Sequence, residues 1–446
     1  MFAPLNLRTY RLGIANGIFA FTASRLADPN TILPLLIHRL SGAAWVVGLV
    51  LTLEGLVEAL SQVAIARSLD AQDRKKPAYS LGGVTRITTY AVIAAILWYY
   101  QAIPTPLLLA IFVLALLGYR AGVAIAGLAV SDIIAKSVPT TRRGSFGMWR
   151  KLAALVVVFF GVTPFVAWTI APEGLFGFPR NFGVLFAASA IANAIAWLLF
   201  MQVDEPPSRA SERKLTWHEH VRRGLTVYRE DRCYRRVVRI RLLVGIAAAI
   251  RPFLVVFATD AWDLTDDVAA TFIAIQVCAE FFGAVVAGHI SDRVGNRSAI
   301  LFMIWSIVLC CTAAVIAAAG NRDIPFELFT RQFNLQIVIL GAAFVGSGLF
   351  LASMQIGYSN YLMDIAPEHQ RPSYIGFSTA FTVPLAIAPV AFGWGADLFG
   401  YQPAFICALL IAAVALYLYL QLPEPRRETI AAGPEQPDPP SPDEQV

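Results

Sequence analysis

Apolar stretches of membrane-spanning length recur along the chain, each ended by a short polar turn. A helix needs about 20 mostly apolar residues to cross the hydrocarbon of a bilayer. Stretches of that size lie at 12–37, 43–65, 78–100, 106–134, 149–171, 181–203, 239–261, 268–290, 298–319, 335–362, 373–396 and 401–421. They predict twelve transmembrane helices. Membrane strands would show as segments of about ten residues with alternating polarity, and none of these stretches alternates. The expected fold class is an all-α membrane protein.

Two segments break the pattern. Residues 204–238 are polar and basic, so the expected organisation is a six-helix bundle over 1–203, a cytoplasmic linker, and a second six-helix bundle over 239–422. Within the linker Trp217, Val221, Leu225 and Tyr228 recur at helical spacing, which fits either an amphipathic helix on the membrane face or a solvated connector. Residues 423–446 hold seven Pro and six acidic residues and are expected to be a disordered cytoplasmic tail.

The turns carry an internal repeat. GHISDRVGNR at 288–297 has a weaker copy, ARSLDAQDRKK, at 66–76, an offset of 222 residues. Asp70 with Arg74, and Asp292 with Arg293 and Arg297, follow apolar segments in the same way. A second pair, SDIIAKSVPTTRRGSFG at 131–147 and YLMDIAPEHQRPSYIGF at 361–377, aligns Pro139 with Pro367 at an offset of 228. A repeat at one offset means two copies of one structural unit.

These turns resemble the signature of the major facilitator superfamily of secondary transporters, Gly-x-x-x-Asp-Arg-x-Gly-Arg between helices 2 and 3 and again between helices 8 and 9. Gly288, Asp292, Arg293, Gly295 and Arg297 match it apart from loop spacing; Ala66, Ala71 and Asp73 depart from it in the first copy. The resemblance implies two pseudo-symmetric six-helix bundles and a loop, here Asp70, Arg74 and the 288–297 residues, that latches the cytoplasmic side in one conformation. Helix capping by the two Asp residues, at the start of the next helix, is the simpler reading of the same turns.

Composition agrees with a bilayer. The chain is 57% hydrophobic and 15% charged, against about one quarter charged in a soluble domain. Orientation follows from Lys and Arg, which favour cytoplasmic loops. With both termini in the cytoplasm, cytoplasmic segments hold 27 of the 35 basic residues and external loops hold Arg39, Arg180, Arg322 and Arg331. The net charge of +5 therefore answers to membrane insertion, and no nucleic-acid partner is expected. The first apolar segment, interrupted by Arg25 and Asp28, reads as a retained span rather than a cleaved signal. The five Cys offer no secreted disulfide framework, His218 and His220 lack further ligands for a metal site, and no phosphate-binding loop points to ATP. Neither a cofactor nor an enzyme activity is expected.

Ionisable residues inside spans are costly, and they usually pair or face a cavity. Eight need explaining: Arg25, Arg86, Arg120, Arg251, Asp28, Glu54, Glu58 and Glu280. Glu58 and Arg86 stand at matching depth, about 12 Å from the cytoplasmic ends of helices 2 and 3, and are expected to pair. The 222-residue shift takes Glu58 to Glu280 and Glu54 to Gln276, so Glu58, Glu280, Arg25 and Arg251 also fit a symmetric role in pairing between bundles. Arg120 lies about 21 Å into helix 4, near the midplane where transporters bind substrate. Its guanidinium can grip a carboxylate with two hydrogen bonds, unless it merely neutralises Glu54 or Asp28. Arg120, Asn30, Arg25, Arg251 and Gln276 are the candidate substrate ligands. Glu54, Glu280, Asp28 and Glu58 are candidates for proton coupling, because burial raises a carboxyl pKa and a nearby Arg lowers it. Pro29 and Pro34 beside Asp28 and Asn30 predict a kinked or unwound first helix.

The reading is a proton-coupled, alternating-access carrier of a small solute, for which Arg120 favours an anionic or zwitterionic class, and a monomer in the cytoplasmic membrane whose partners are solute, protons and lipid. A multidrug/proton antiporter and a non-transporting solute sensor are the alternatives; VVVFFGVTPFV in helix 5, with just Gly161 and Pro164, disfavours the first. Pro389, Gly393 and Gly395 in helix 11 permit bending and close helix approach.

Overall fold

In the computed structural model, described residues run from 7 to 423, except 71, 139, 172–173, 207–225, 263–267, 321–324, 329–330, 367–377 and 379–382. The N-terminal helices are α1 (Leu7–Leu26), α2 (Ile32–Ser41), α3 (Ala44–Asp70), α4 (Lys76–Trp98), α5 (Thr105–Ser137), α6 (Thr140–Val157), α7 (Thr163–Ile170) and α8 (Arg180–Met201). The C-terminal helices are α9 (Arg232–Ala248), α10 (Arg251–Ala261), α11 (Val268–Arg293), α12 (Asn296–Ala319), α13 (Leu335–Ser353), α14 (Ser359–Ile365), α15 (Ala388–Phe399) and α16 (Tyr401–Leu420). Among the described residues, ten helical segments are long and apolar enough to cross a membrane, and two more apolar helices, Ile32–Ser41 and Leu385–Phe399, are shorter. Large apolar side chains such as Leu114, Phe160, Phe282, Trp394 and Tyr417 stand exposed on the outer surface, where lipid tails solvate them. A feature the hydropathy pattern gave no hint of is a small antiparallel hairpin, β1 (Pro325–Leu328) and β2 (Arg331–Asn334), between α12 and α13.

Several predicted spans are interrupted. The first divides at 27–31, between α1 and α2, as Asp28, Pro29 and Pro34 foretold. The fifth has a π-helical turn at 158–162 before Pro164, the tenth one at 354–358, and the eleventh a 3-10 turn at 383–387 before Pro389. Proline cannot donate to the helical ladder, so the backbone changes pitch just ahead of it.

Small residues set the helix spacing. A Cβ on Gly82 would fall 2.7 Å from the Gly122 carbonyl of α5, and one on Gly348 would fall 2.3 Å from the Gln276 carbonyl of α11. Without side chains there, backbones approach closely, which is how membrane helices gain packing energy without a hydrophobic effect between them. Stacked rings fill the rest, Tyr90 on Tyr119 at 3.7 Å and Phe272 on Phe344 at 4.3 Å.

The N-terminal and C-terminal helices meet along a seam where α3 packs on α15, α2 on α10 and α7 on α11. A Cβ on Gly48 would lie 2.3 Å from the Pro389 carbonyl, and one on Gly393 would lie 2.5 Å from the Ala44 carbonyl. The Asp397 carboxylate accepts from the backbone N–H groups of Ala44 (3.0 Å) and Trp45 (2.7 Å), capping α3 from across the seam. Val390 N–H donates to the Thr52 hydroxyl at 3.3 Å. These contacts close the end of the bundle that carries Ala44.

Candidate functional site

The break at 27–31 builds one side of a buried ionic centre. Helix α2 restarts with Leu33 N–H donating to the Asp28 carbonyl at 3.0 Å. The Asp28 carboxylate accepts from Asn30 N–H (2.8 Å) and the Thr31 hydroxyl (3.2 Å). Its second oxygen takes the Arg25 guanidinium at 2.8 Å. Asp28 is fully buried and Arg25 is 7% exposed, so each needs the other. Asn30 contributes through its backbone.

The other side comes from α11. Glu280, 4% exposed, pairs with Arg25 and accepts from Lys151 of α6 at 3.1 Å. One carboxylate of the C-terminal helices thus holds two cations of the N-terminal helices. Arg251 opens α10 next to this centre: its Nε donates to the Ala248 carbonyl (3.1 Å), its plane lies 5.2 Å from the Phe350 ring, and its buried Nη1 finds no acceptor among the described residues. Gln276, fully buried one turn before Glu280, accepts from Ser347 at 3.2 Å and leaves its Nε2 without an acceptor among the described residues.

A second ionic group lies within the N-terminal helices. Arg120 of α5 reaches Glu54 at 3.2 Å and Glu58 at 3.8 Å. This corrects the expected Glu58–Arg86 pair. Arg86 instead lies over the Tyr119 ring at 5.7 Å, without a carboxylate among the described residues. Matching depth did not identify the partner, because depth says nothing about which way around the helix a side chain points. In the same geometry the Arg120 guanidinium is paired with carboxylates rather than free.

The charged turns depart from expectation as well. Asp70 ends α3 and Asp292 lies in the last turn of α11, not at the start of the following helix. A carboxylate at a helix C-terminus meets the unfavourable end of the dipole, so capping of the next helix does not explain them. Arg74, Asp292 and Arg293 are exposed, and the side chain of Asp70 lies outside what is described. Arg297 lies over the Tyr419 ring at 5.2 Å, while Gly295 adopts φ 119, which a side chain would strain. Gly288 has open space around its Cα. The turn after α11 is held by polar side chains that hydropathy did not single out: Ser291 bonds Asn296 at 2.5 Å, Asn296 donates to Asp364 at 2.6 Å, and Asn360 donates to Ser291 at 3.3 Å. The matching turn after α3 uses Glu205, which accepts from Lys75 N–H (2.5 Å) and Lys76 N–H (3.1 Å). The partner motif at 367–377, most of the linker and the tail lie outside the described residues.

Sequence reading also missed Lys151 and Arg150. Both were counted with a cytoplasmic loop, yet α6 starts at Thr140 and carries them ten and eleven residues into a helix. The apolar stretch at 149–171 took in Arg150 and Lys151 only at its edge, where they read as the end of the basic cytoplasmic segment that holds Arg142 and Arg143.

The description of the Major Facilitator Superfamily matches residues 240–444. Over the whole chain the structure is similar to the nucleoside transporter NupG, with a TM-score of 0.68, 13% identity, and coverage of 93% of this chain and 99% of that one. The fold is that of the major facilitator superfamily. A D-xylose-proton symporter shares this superfamily fold at a TM-score of 0.66 and 13% identity, covering 94% of this chain and 98% of the symporter. So does a bacterial homologue of the iron transporter ferroportin in an inward-facing state, at 0.63 and 14%, covering 94% and 99%. By sequence, the chain is 26% identical over 200 residues to the uncharacterized MFS-type transporter YhjO of Bacillus subtilis strain 168. That match spans 43% of this chain and 45%, about half, of YhjO. Within the superfamily fold the two ionic groups fall on helices α1, α3, α5, α6 and α11, deep in a multi-pass membrane protein.

Proposed function

We propose that this protein is a secondary active transporter that moves a small solute across the cytoplasmic membrane by alternating access, with proton coupling at Glu280. The observation that carries the reading is the attachment of one buried carboxylate to Arg25 and Lys151 on the opposite side of the seam. Parting the halves strips Glu280 of both cations. Removing one partner of a buried ion pair costs about 3–5 kcal/mol, and a proton is the smallest charge that can take the cations' place. Asp28 stays with Arg25 on the same chain segment, three residues away, so Arg25 remains compensated in either arrangement.

The positive-inside bias supports both termini facing the cytoplasm. The contacts of Asp397, Gly48 and Gly393 then lie at the external end, which makes it the closed end. Arg25, Lys151 and Arg251 outnumber Asp28 and Glu280 at the seam, a balance that favours an anionic or zwitterionic solute. Arg120, held by Glu54 and Glu58, is a structural brace of the N-terminal bundle.

The test is solute-driven proton movement in proteoliposomes holding a pH-sensitive dye, screened over amino acids, carboxylates, sugars and nucleosides. One solute class should move protons with the wild-type protein and fail to do so with Glu280→Gln, which should still exchange labelled solute. Solute movement with an unchanged proton flux in Glu280→Gln removes the coupling role; binding without any movement makes the protein a sensor.

A further inference from the structure

The four charged side chains joined at the seam differ in exposure. Arg25, Asp28 and Glu280 are buried, whereas the Lys151 side chain is 34% exposed although its ammonium lies 3.1 Å from Glu280. That exposure does not open onto lipid. Trp149, Val156 and Phe160 form the exposed outer stripe of α6 and the turn after it, while Lys151 shares the opposite face with the buried Ala154 and Val158. One turn before Lys151 on its own face, Gly147 is exposed, and a Cβ there would meet nothing within 4 Å among the described residues. Gly288, two turns beyond Glu280 on α11, is open in the same way. Successive spans alternate in direction, so the start of α6 and the end of α11 both lie opposite the sealed end that carries Ala44. The open space reaches Lys151 from that side.

Glu280 divides its two oxygens between the cations, Oε2 to the buried Arg25 and Oε1 to Lys151. A water-borne anion entering the open space meets Lys151 before it meets Arg25. The ammonium already holds a carboxylate, so a carboxylate on a solute fits the same place, with the strength of a charge-assisted hydrogen bond. Two carboxylates at one ammonium repel each other, and a proton on Glu280 Oε1 removes the repulsion. Oε2 then still accepts from Arg25. The other charged groups around Glu280 are Asp28, bound to Arg25, and Arg251 of α10. Of the further elements packed on α11, α7 and α13 carry no ionisable side chain, α12 carries Cys310, Cys311 and Arg297, which lies over Tyr419, and the turn at 354–358 carries Tyr358, which lies under Arg241. None of them is a carboxylate that could take Lys151 in place of Glu280.

We propose that Lys151 holds the solute: its ammonium passes from Glu280 to a carboxylate on the solute, and Glu280 takes one proton from water in the same event. The Lys151–Glu280 ion pair breaks, while a Lys151–solute ion pair and a Glu280 O–H bond form. The solute stays a carboxylate and Lys151 stays an ammonium, so the balance closes. The inference rests on proton coupling at Glu280, and it adds the solute class, monocarboxylates, and the count, one proton per carboxylate. The exchange also cuts one of the two ties that Glu280 makes across the seam. Arrival of the solute thereby loosens the contact that alternating access must break.

The experiment uses the full-length, detergent-purified protein and acetate, the smallest carrier of the group, against acetamide and chloride at equal ionic strength. Calorimetric titration in two buffers of different ionisation enthalpy counts the protons taken up. Acetate should bind with uptake of about one proton, and its affinity should fall about tenfold per unit rise in pH, the slope of one linked proton. Acetamide and chloride should do neither. Lys151→Met should weaken acetate binding about tenfold or more, and Lys136→Met, which removes the cation paired with Asp132, should leave it within about twofold. Glu280→Gln removes the built-in competitor for Lys151, so it should bind acetate about tenfold more tightly and without proton uptake. Acetate should also raise the melting temperature of Glu280→Gln more than chloride does, a readout that stands even if Lys151→Met fails to fold. Acetate behaving like chloride in the wild type, binding without proton uptake, or equal or weaker acetate binding in Glu280→Gln overturns the exchange. No membrane or gradient enters this assay, so its failure removes Lys151 as the solute ligand and leaves solute-driven proton flux at Glu280 to stand or fall separately.

Discussion

Asp397→Ala should release the closed end of the bundle. The Asp397 carboxylate caps α3 from across the seam through Ala44 N–H at 3.0 Å and Trp45 N–H at 2.7 Å. Losing a capping side chain costs about 0.5–2 kcal/mol, and a negative charge at a helix N-terminus adds about 0.3–1 kcal/mol when exposed. Asp397 is exposed, so water screens the charge, and about 1–2 kcal/mol is a fair total. The bonds exist only while the halves touch at this end. Their loss therefore shifts the equilibrium toward the arrangement in which they part, by a factor of about 5–30. Thr52, 5% exposed and bonded to Val390, marks the sealed region. With the native cysteines replaced, a cysteine at Thr52 should react with a membrane-impermeant maleimide about 5–30 times faster when Asp397→Ala is added. Asp397→Asn should give a smaller acceleration, because its amide oxygen still accepts one bond. An unchanged rate in Asp397→Ala refutes the argument that this cap holds the seam.

Further outcomes separate the individual contacts. Gly48→Ala places a Cβ 2.3 Å from the Pro389 carbonyl, and overpacking of that kind costs about 1–3 kcal/mol; the same maleimide assay should show faster labelling, and slower labelling would mean the backbone yields instead. Glu280→Gln should destabilise the protein by about 3–5 kcal/mol, while Glu58→Gln, whose side chain is 34% exposed and 3.8 Å from Arg120, should cost no more than about 1 kcal/mol; denaturant melts in one detergent would rank them. A double-mutant cycle on Glu54→Gln and Arg120→Gln should give a coupling above about 0.5 kcal/mol, whereas Glu58→Gln with Arg86→Gln should be additive within that margin. Coupling in the second cycle would restore the partner that depth alone had favoured.

The membrane class, the superfamily fold and the residues of the ionic centres other than Lys151 could be read from the chain, because a charge inside an apolar run stands out and its energetic cost demands an explanation. Asp28 beside Pro29 even marked where the first helix breaks. Partner choice was not legible. Arg86 and Arg120 both lie at suitable depth for Glu58, and what decides between them is the azimuth of α4 and α5 as set by Gly82 against Gly122, a tertiary fact. Asp397 was hidden for another reason: near the end of an apolar span an Asp looks like a polar boundary, and its target N–H groups are 352 and 353 residues away. Lys151 and Arg150 were obscured because they fall at the edge of the apolar stretch that located helix 5, where they read as part of the preceding basic segment. One signal was available and unused. Pro164 and Pro389 are 225 residues apart, the same spacing as the charged turns within three residues, and each follows a change of helical pitch.

Those two pitch changes redraw the moving parts. The π-helical turn at 158–162 and the 3-10 turn at 383–387 are themselves 225 residues apart. Beyond the first, α7 packs on α11; beyond the second, α15 packs on α3. Each bundle therefore lends the outer end of one broken helix to its neighbour, and the lent piece is joined to its own bundle through a knuckle rather than a continuous rod. In the proposed alternating-access cycle, the boundary between the moving bodies would cross the chain at these knuckles. In the proposed rocking motion, the chain would bend at two symmetric points as the contacts of α7 with α11 and of α15 with α3 part.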